Sequence, residues 1–117
     1  MKMNPTHFGG AAAVEGYGPG FFRVGGKVMH GPVLVTAAGG VAWGGLDDRA
    51  ALMALAGQVD VLFIGMGADV AHAPADLVAE LRDAGVAVES MASATAARTY
   101  NVTLSEGRRV ACALLPL

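Results

Sequence analysis

Hydrogen-bonding side chains are concentrated in the last third of the chain, in three closely spaced groups. Glu89 comes first, Arg98-Thr99-Tyr100-Asn101 follows, and Glu106-Gly107-Arg108 completes the set. At an exposed site, these carboxylate, guanidinium, phenol and amide groups can bind a ligand or a partner protein. They also suit a buried network that ties a helix to a sheet, in which Glu89 is expected to accept from Arg98 or from a backbone N–H at the start of the helix. A fully paired network rigidifies a fold. The buried network is the favoured interpretation, the binding site is its alternative, and we assign no catalytic residue.

A glycine-rich turn is the second candidate site. Gly65-Met66-Gly67 follows an apolar run at 61–64, and Asp69 and His72 come shortly after it. Backbone N–H groups in such a turn can bind an anion, and a His near a carboxylate can relay a proton. However, Val70 stands where a dinucleotide-binding fingerprint has its third glycine, and the ending of a P-loop is missing. A sharp turn explains the glycines better, and a small-molecule site is the alternative.

The sequence argues against metal, cofactor and nucleic-acid binding. His7 and His30 stand alone, and the single cysteine, Cys112, lies in an apolar run where burial is expected. We therefore predict no metal ion, no cofactor and no disulfide within one chain. The net charge of −2 disfavours a nucleic-acid partner, whose phosphates Lys and Arg would have to neutralise.

The composition fits one domain that is unusually apolar. Of 117 residues, 54% are hydrophobic and only 15% are charged, whereas about 25% charged residues are usual. Either small residues pack tightly in the core, or a partner protein or a second copy covers extra apolar surface. Trp43 fits both cases, as a core-edge residue or as an interface anchor.

Location follows from two further features of the sequence. No stretch approaches the roughly 18 apolar residues of a membrane helix, so we predict no membrane-spanning segment. Residues 1–8 lack the character of a signal peptide, so cytoplasmic residence is expected. Peripheral association with a membrane would then occur through a partner.

Hydrophobic periodicity predicts a single α/β domain over residues 1–117. Residues 1–20 are predicted as a loop, and a hairpin with a Gly25-Gly26 turn follows. Further strands are predicted at 33–36, 40–43, 59–64, 86–88 and 110–115, and helices at 48–57, 74–84 and 94–104, the last capped by Ser93. Ala96, Tyr100 and Leu104 recur every fourth residue, which puts Tyr100 on an apolar helix face. The order predicts one mixed sheet flanked by helices, antiparallel in its first third and mostly parallel afterwards.

The same motifs resemble the signature of a known family. Glu89-x-Met91, Arg98-Thr99-Tyr100-Asn101 and Glu106-Gly107-Arg108 resemble the C-terminal part of the Mth938-like domain family, which includes the mitochondrial complex I assembly factor 3. The similarity extends over essentially the whole chain, through Gly16-Tyr17-Gly18, Trp43 and Ile64-Gly65-Met66-Gly67. The resemblance implies a compact mixed β-sheet flanked by helices, with an additional small β layer. It also implies binding to other proteins, and it brings no established reaction.

Two departures from the family pattern affect the interpretation of the glycine turn. Met66 stands where Thr is common, and Ala92-Ser93 stands where Asp-Thr is common. The missing Thr hydroxyl argues against a polar ligand at the turn. The leading hypothesis is a non-catalytic protein-interaction or assembly-factor-like domain, which the resemblance links to respiratory complex I. The alternative is a small-ligand-binding protein or enzyme that uses the Gly65-Met66-Gly67 loop with Asp69 or His72.

Overall fold

The computed structural model describes residues 10–117, which fold into two β-sheets and three helices. The first sheet is a small antiparallel meander of β1 (Val14–Gly18), β2 (Phe21–Val24) and β3 (Lys27–His30). Both residues of the Gly25-Gly26 connection have positive φ, as a tight hairpin turn requires, so the predicted hairpin is confirmed. Residues 1–9, and with them His7, lie outside the described part.

The second sheet has five strands and is mixed. Its spatial order is β5 (Gly39–Ala42), β4 (Val33–Thr36), β8 (Val110–Leu115), β6 (Val61–Met66) and β7 (Ala87–Met91). β6 runs parallel to both β7 and β8, whereas β4 runs antiparallel to β5 and β8. β6 and β8 lie inside the sheet and are almost wholly buried, which explains their unbroken apolar sequences.

The three helices are α1 (Arg49–Met53), α2 (Ala75–Asp83) and α3 (Ser93–Ser105). Pro74 directly precedes α2, and Gly85 and Gly107, both with positive φ, follow α2 and α3, so these predicted boundaries are confirmed. α1 is shorter than predicted, because the chain after it tightens into turns with hydrogen bonds three residues apart, such as Leu55 N–H to Leu52 O.

The five-stranded sheet separates two hydrophobic clusters. Along β6, Phe63 packs on one side with α3 and the small sheet, whereas Leu62 and Ile64 pack on the other side with α1 and α2. The fold therefore has three layers, with the large sheet in the middle. α3 and the small sheet lie next to each other in one outer layer, and this position makes contacts between them possible.

Two expectations about the N-terminal part are wrong. Residues 14–18 form β1 rather than a loop, and the strands form two sheets rather than one; the second is the small β layer that the family resemblance implies. Gly16 and Gly18 make β1 difficult to recognise from the sequence, because glycine is unfavourable in a strand. β1 is held by pairing with β2 and by side chains of α3, which are distant in sequence.

Candidate functional site

Two consecutive residues of α3, Tyr100 and Asn101, face the small sheet. The buried Tyr100 donates its phenol O–H to the carbonyl of Ala12 at 2.7 Å. Asn101 donates from Nδ2 to the Val14 carbonyl at 2.7 Å, and its Oδ1 accepts the Val14 N–H at 2.9 Å. The amide of Asn101 thus pairs with Val14 as the backbone of a neighbouring strand would. We call Tyr100 and Asn101 the α3 clamp, because they fasten β1 and the segment before it to the helix.

Burial fixes the protonation of the groups around the α3 clamp. Desolvation raises the pKa of the Tyr100 phenol far above its ordinary value, and nearby Cys112 raises it further. The phenol is therefore protonated at neutral pH and acts as a donor. Complete burial also raises the pKa of the Cys112 thiol, so the reactive thiolate is disfavoured, as predicted for a buried cysteine.

The charged members of the predicted network point to solvent. The exposed ones are Glu89, Arg98, Glu106 and Arg108, and none of them forms an ion pair within residues 10–117. The expected contact between Glu89 and Arg98 is therefore wrong. A helix turns about 100° per residue, so Arg98 lies on the side of α3 away from the buried Tyr100. Thr99 is half-buried, and its carbonyl accepts the Thr103 hydroxyl at 2.9 Å.

A shallow groove of about 200 Å³ separates α3 from β1, and both Tyr17 and Arg98 line it. Tyr17 is 44% exposed, and Val102, one helical turn after Arg98, is 54% exposed. We call Tyr17, Arg98 and Val102 the α3–β1 surface. It combines an aromatic ring, a guanidinium with no ion pair inside the described chain, and an aliphatic side chain.

The glycine turn is packed against the start of α3. Gly67 donates its N–H to Ser93 Oγ at 2.8 Å, Ser93 donates its N–H to the Gly67 carbonyl at 2.8 Å, and Ser93 Oγ donates to the Leu115 carbonyl at 2.6 Å. A Cβ added to Gly65 would lie 2.7 Å from Ser93 Cα. Glycine is needed at Gly65 for this close approach, and the Gly67 N–H is already occupied by a protein oxygen rather than open to an anion.

The role of Ser93 in the structure differs from the one that the sequence predicts. It was expected to cap α3, but it is the first residue of the helix and its hydroxyl is used between the turn and β8 instead. It is fully buried. The available signal was a serine two residues after the end of β7, between Ala92 and Ala94.

The other members of the predicted ligand loop do not converge. Asp69 and His72 are both exposed and form no hydrogen bond or ion pair with each other. Met66 is half-buried and packs against the cluster of α1 and α2. The loop itself is held by Ala73, whose N–H donates to Ser90 Oγ at 3.1 Å.

Trp43 lies in the core, which answers the question that its sequence position left open. It is 4% exposed and belongs to the cluster of α1 and α2. Its indole Nε1–H donates to the Asp48 carbonyl at 3.2 Å, and the Asp48 carboxylate accepts the Gly44 N–H at 3.1 Å. The candidate role of Trp43 as an exposed anchor for a partner is therefore wrong.

The ion pairs of two arginines were missed by sequence reasoning because their partners are far apart in the chain. Arg109 holds Asp60 through two N···O distances of 2.7 and 3.3 Å, and it also donates to the Gly57 carbonyl at 3.3 Å. Arg49 pairs with Asp76 at 3.0 Å. The hydrogen bond from Arg109 lowers the pKa of the Asp60 carboxyl.

Within residues 10–117, no three His, Cys, Asp or Glu side chains come close enough together to hold a metal ion. None of the helices in the described part is both long enough and apolar enough to cross a bilayer.

The fold and its contacts define the class of the protein. α3 and a small antiparallel sheet cover one face of a mixed five-stranded sheet, and the α3 clamp joins them. This is a Mth938-like domain: the NMR structure of a Bordetella pertussis protein described by that term matches with a TM-score of 0.79 at 27% identity, covering 99% of this chain and 92% of that one. The chain belongs to the family described as "Protein of unknown function (DUF498/DUF598)", which matches residues 14–115. The family resemblance and the fold class are thus confirmed.

Two relatives extend the comparison. An uncharacterized protein of Rhodobacter capsulatus is 58% identical over 117 residues, which cover 100% of this chain and 94% of the relative. The NADH dehydrogenase (ubiquinone) 1 alpha subcomplex assembly factor 3 of Danio rerio is 29% identical over 110 residues, which cover 88% of this chain and 63% of that protein. The chain therefore spans less than two thirds of the length of the Danio rerio relative.

Proposed function

We propose that this chain is a non-catalytic protein-interaction domain that serves the assembly of a respiratory complex. The similarity to the Danio rerio assembly factor carries the proposal, because that protein is named for the assembly of NADH dehydrogenase. The similarity covers 63% of that relative. The role assigned here is the part that a single shared domain can supply, which is recognition of another protein.

We assign this recognition to the α3–β1 surface. Aromatic and arginine side chains dominate the energetics of protein interfaces, and Tyr17 and Arg98 line one groove. Val102 adds exposed aliphatic surface on the same side of α3 as Arg98. Since Arg98 has no ion pair within the described chain, a carboxylate of the partner is its natural counterpart.

The α3 clamp supports this assignment through pre-organisation. Three hydrogen bonds between α3 and the Ala12–Val14 segment hold the two elements of the surface at a fixed distance before any partner arrives. Binding to a rigid surface avoids the entropy cost of ordering it. A shallow, preformed surface suits a protein partner better than a small molecule, which needs an enclosing pocket.

Photo-cross-linking in Rhodobacter capsulatus tests the proposal, with this chain replacing the relative that is 58% identical to it. A photoreactive amino acid at Val102 is expected to form an adduct with a subunit of the NADH dehydrogenase. Arg98→Ala is expected to reduce that adduct severalfold, because it removes the charged contact.

Val28 provides the matched control, since it is 48% exposed but lies on β3, away from the α3–β1 surface. A photoreactive residue there should give no such adduct. Equal adducts from Val28 and Val102 would contradict the assigned surface. If the only adducts contain a second copy of this chain, the proposed assembly role is wrong and the surface mediates self-association instead.

A further inference from the structure

A cleft of about 380 Å³ opens at the end of the large sheet where β6 and β8 begin, opposite to the end that carries the Gly65-Met66-Gly67 turn. The turn between β4 and β5 forms one wall, the chain after α1 forms another, and the connection from α3 to β8 forms the third. We call it the Arg108 cleft. Its volume lies near the lower end of the range of about 300–1,000 Å³ that small-molecule sites occupy.

The floor of the Arg108 cleft is aliphatic. Leu55 and Val59 come from the cluster on the α1 side of the sheet, and Leu104 and Val110 come from the cluster on the α3 side. Residues of both clusters thus border the cleft. An alkyl chain placed here would extend the contacts of the two clusters and remove apolar surface from water.

Of the two arginines on the rim of the cleft, only one is paired with a carboxylate. Arg108 and Arg109 both line it, and Asp60 pairs with Arg109 through both of its oxygens. The Arg108 guanidinium forms no ion pair within residues 10–117, and its positive charge also contributes to the lowered pKa of Asp60. The single negative charge of Asp60 therefore lies near two guanidinium groups. One further anion would neutralise the positive charge of Arg108.

The fold does not otherwise use this arginine. Gly107, with φ of 82°, ends α3 and turns the chain so that Arg108 reaches the cleft. Within the described chain, the backbone N–H of Arg108 bonds to the Thr103 carbonyl, and its side chain forms no hydrogen bond. The Glu106-Gly107-Arg108 motif singled out in the sequence thus places a cation beside an apolar cleft.

We propose that the Arg108 cleft binds an amphipathic monocarboxylate of medium chain length, with its alkyl chain on Leu55, Val59, Leu104 and Val110 and its carboxylate on Arg108. The proposal is independent of the protein-interaction role, because the α3–β1 surface uses other residues. Arg109 takes part only by holding Asp60, which keeps that carboxylate from neutralising Arg108.

Titration of the full chain with octanoate, followed by amide NMR spectra, tests this site. Saturable shifts are expected at Val59, Arg108 and Val110. Octanol and octyltrimethylammonium should bind more weakly, since they carry the same chain without a negative charge. Shifts scattered over the surface, or octanol binding as tightly as octanoate, would overturn the proposal.

Two pairs of variants test whether charge at the cleft, rather than a general disturbance of the fold, determines octanoate binding. Arg108→Ala should weaken octanoate binding about two- to fivefold, the range of one exposed ion pair, whereas Arg82→Ala, which removes an exposed arginine of α2, should leave it unchanged. Ala38→Glu on the cleft wall should weaken binding more than Ala38→Gln, because only the former adds a negative charge. Equal binding by Arg108→Ala and Arg82→Ala would refute the role of Arg108.

Discussion

Replacing Asn101 by alanine tests whether the α3 clamp holds the small sheet in place. The substitution removes both hydrogen bonds to Val14 and leaves the buried phenol of Tyr100 and its bond to Ala12 intact. The Val14 side chain is buried, but its backbone lies at the free edge of the small sheet and Asn101 is only half-buried, so truncating Asn101 opens the released backbone groups to water. The cost is therefore that of two ordinary hydrogen bonds rather than of two buried, unpaired groups.

The expected loss follows from two opposing terms. Two intramolecular hydrogen bonds contribute about 2 kcal/mol together. Alanine is a better helix former than asparagine, and this difference stabilises the variant by about 0.5 kcal/mol. The free energy of unfolding should therefore fall by about 1.5 kcal/mol, which corresponds to a drop of about 6 °C in Tm for a domain of this size.

Urea denaturation measures the change in free energy, and amide hydrogen exchange locates it. The Val14 amide should lose most of its protection in Asn101→Ala, while amides of the central strands β6 and β8 lose only the global difference. Thr95→Ala is the matched control, since Thr95 is an exposed residue of α3 and its substitution should stabilise by about 0.5 kcal/mol through helix propensity alone. An Asn101→Ala protein as stable as Thr95→Ala, with the Val14 amide still protected, would refute the clamp.

Two further predictions concern the glycine turn and the exposed ion pair. Gly65→Ala should cost about 1–3 kcal/mol in urea denaturation because its Cβ meets the backbone of Ser93, whereas Gly16→Ala, with no heavy atom within 4 Å, should be close to neutral; equal effects would contradict the packing argument. Arg109 lowers the pKa of Asp60 in the folded state, so the unfolded chain binds the proton at higher pH and the pair stabilises the fold above the ordinary carboxyl value of 3.8. The stability difference between wild type and Arg109→Ala should shrink as the pH falls below that value, and a difference independent of pH would contradict the coupling.

Strong local signals explain why much of the fold was predictable. β8 and the buried part of β6 are continuous apolar runs, and Pro74, Gly85 and Gly107 mark helix boundaries by their own backbone preferences. β1, the first strand of the small sheet, was not predictable from residue pattern, because its sequence is unfavourable for a strand by itself. Its stability comes from residues of α3 that are 87 and 88 positions away.

For the candidate site too, predictions that depended on neighbouring residues were correct, and predictions that depended on residues distant in sequence were not. Helical spacing correctly places Tyr100 on the buried face, since that inference depends only on its neighbours in α3. The Glu89–Arg98 contact failed because it required the relative position of β7 and α3, which periodicity does not contain. The role of Ser93 was hidden for a similar reason, as its partners Gly67 and Leu115 come from two other elements.

The position of β8 has a consequence for the order in which the molecule forms. β8 is the last strand in the sequence, yet it lies between β4 and β6 in the large sheet. The hairpin of β4 and β5 and the parallel pair of β6 and β7 have no strand that joins them until residues 110–115 have been synthesised. Closure of the core is therefore a late and largely non-local event, of the kind that makes a fold slow to reach compared with one built from neighbouring contacts.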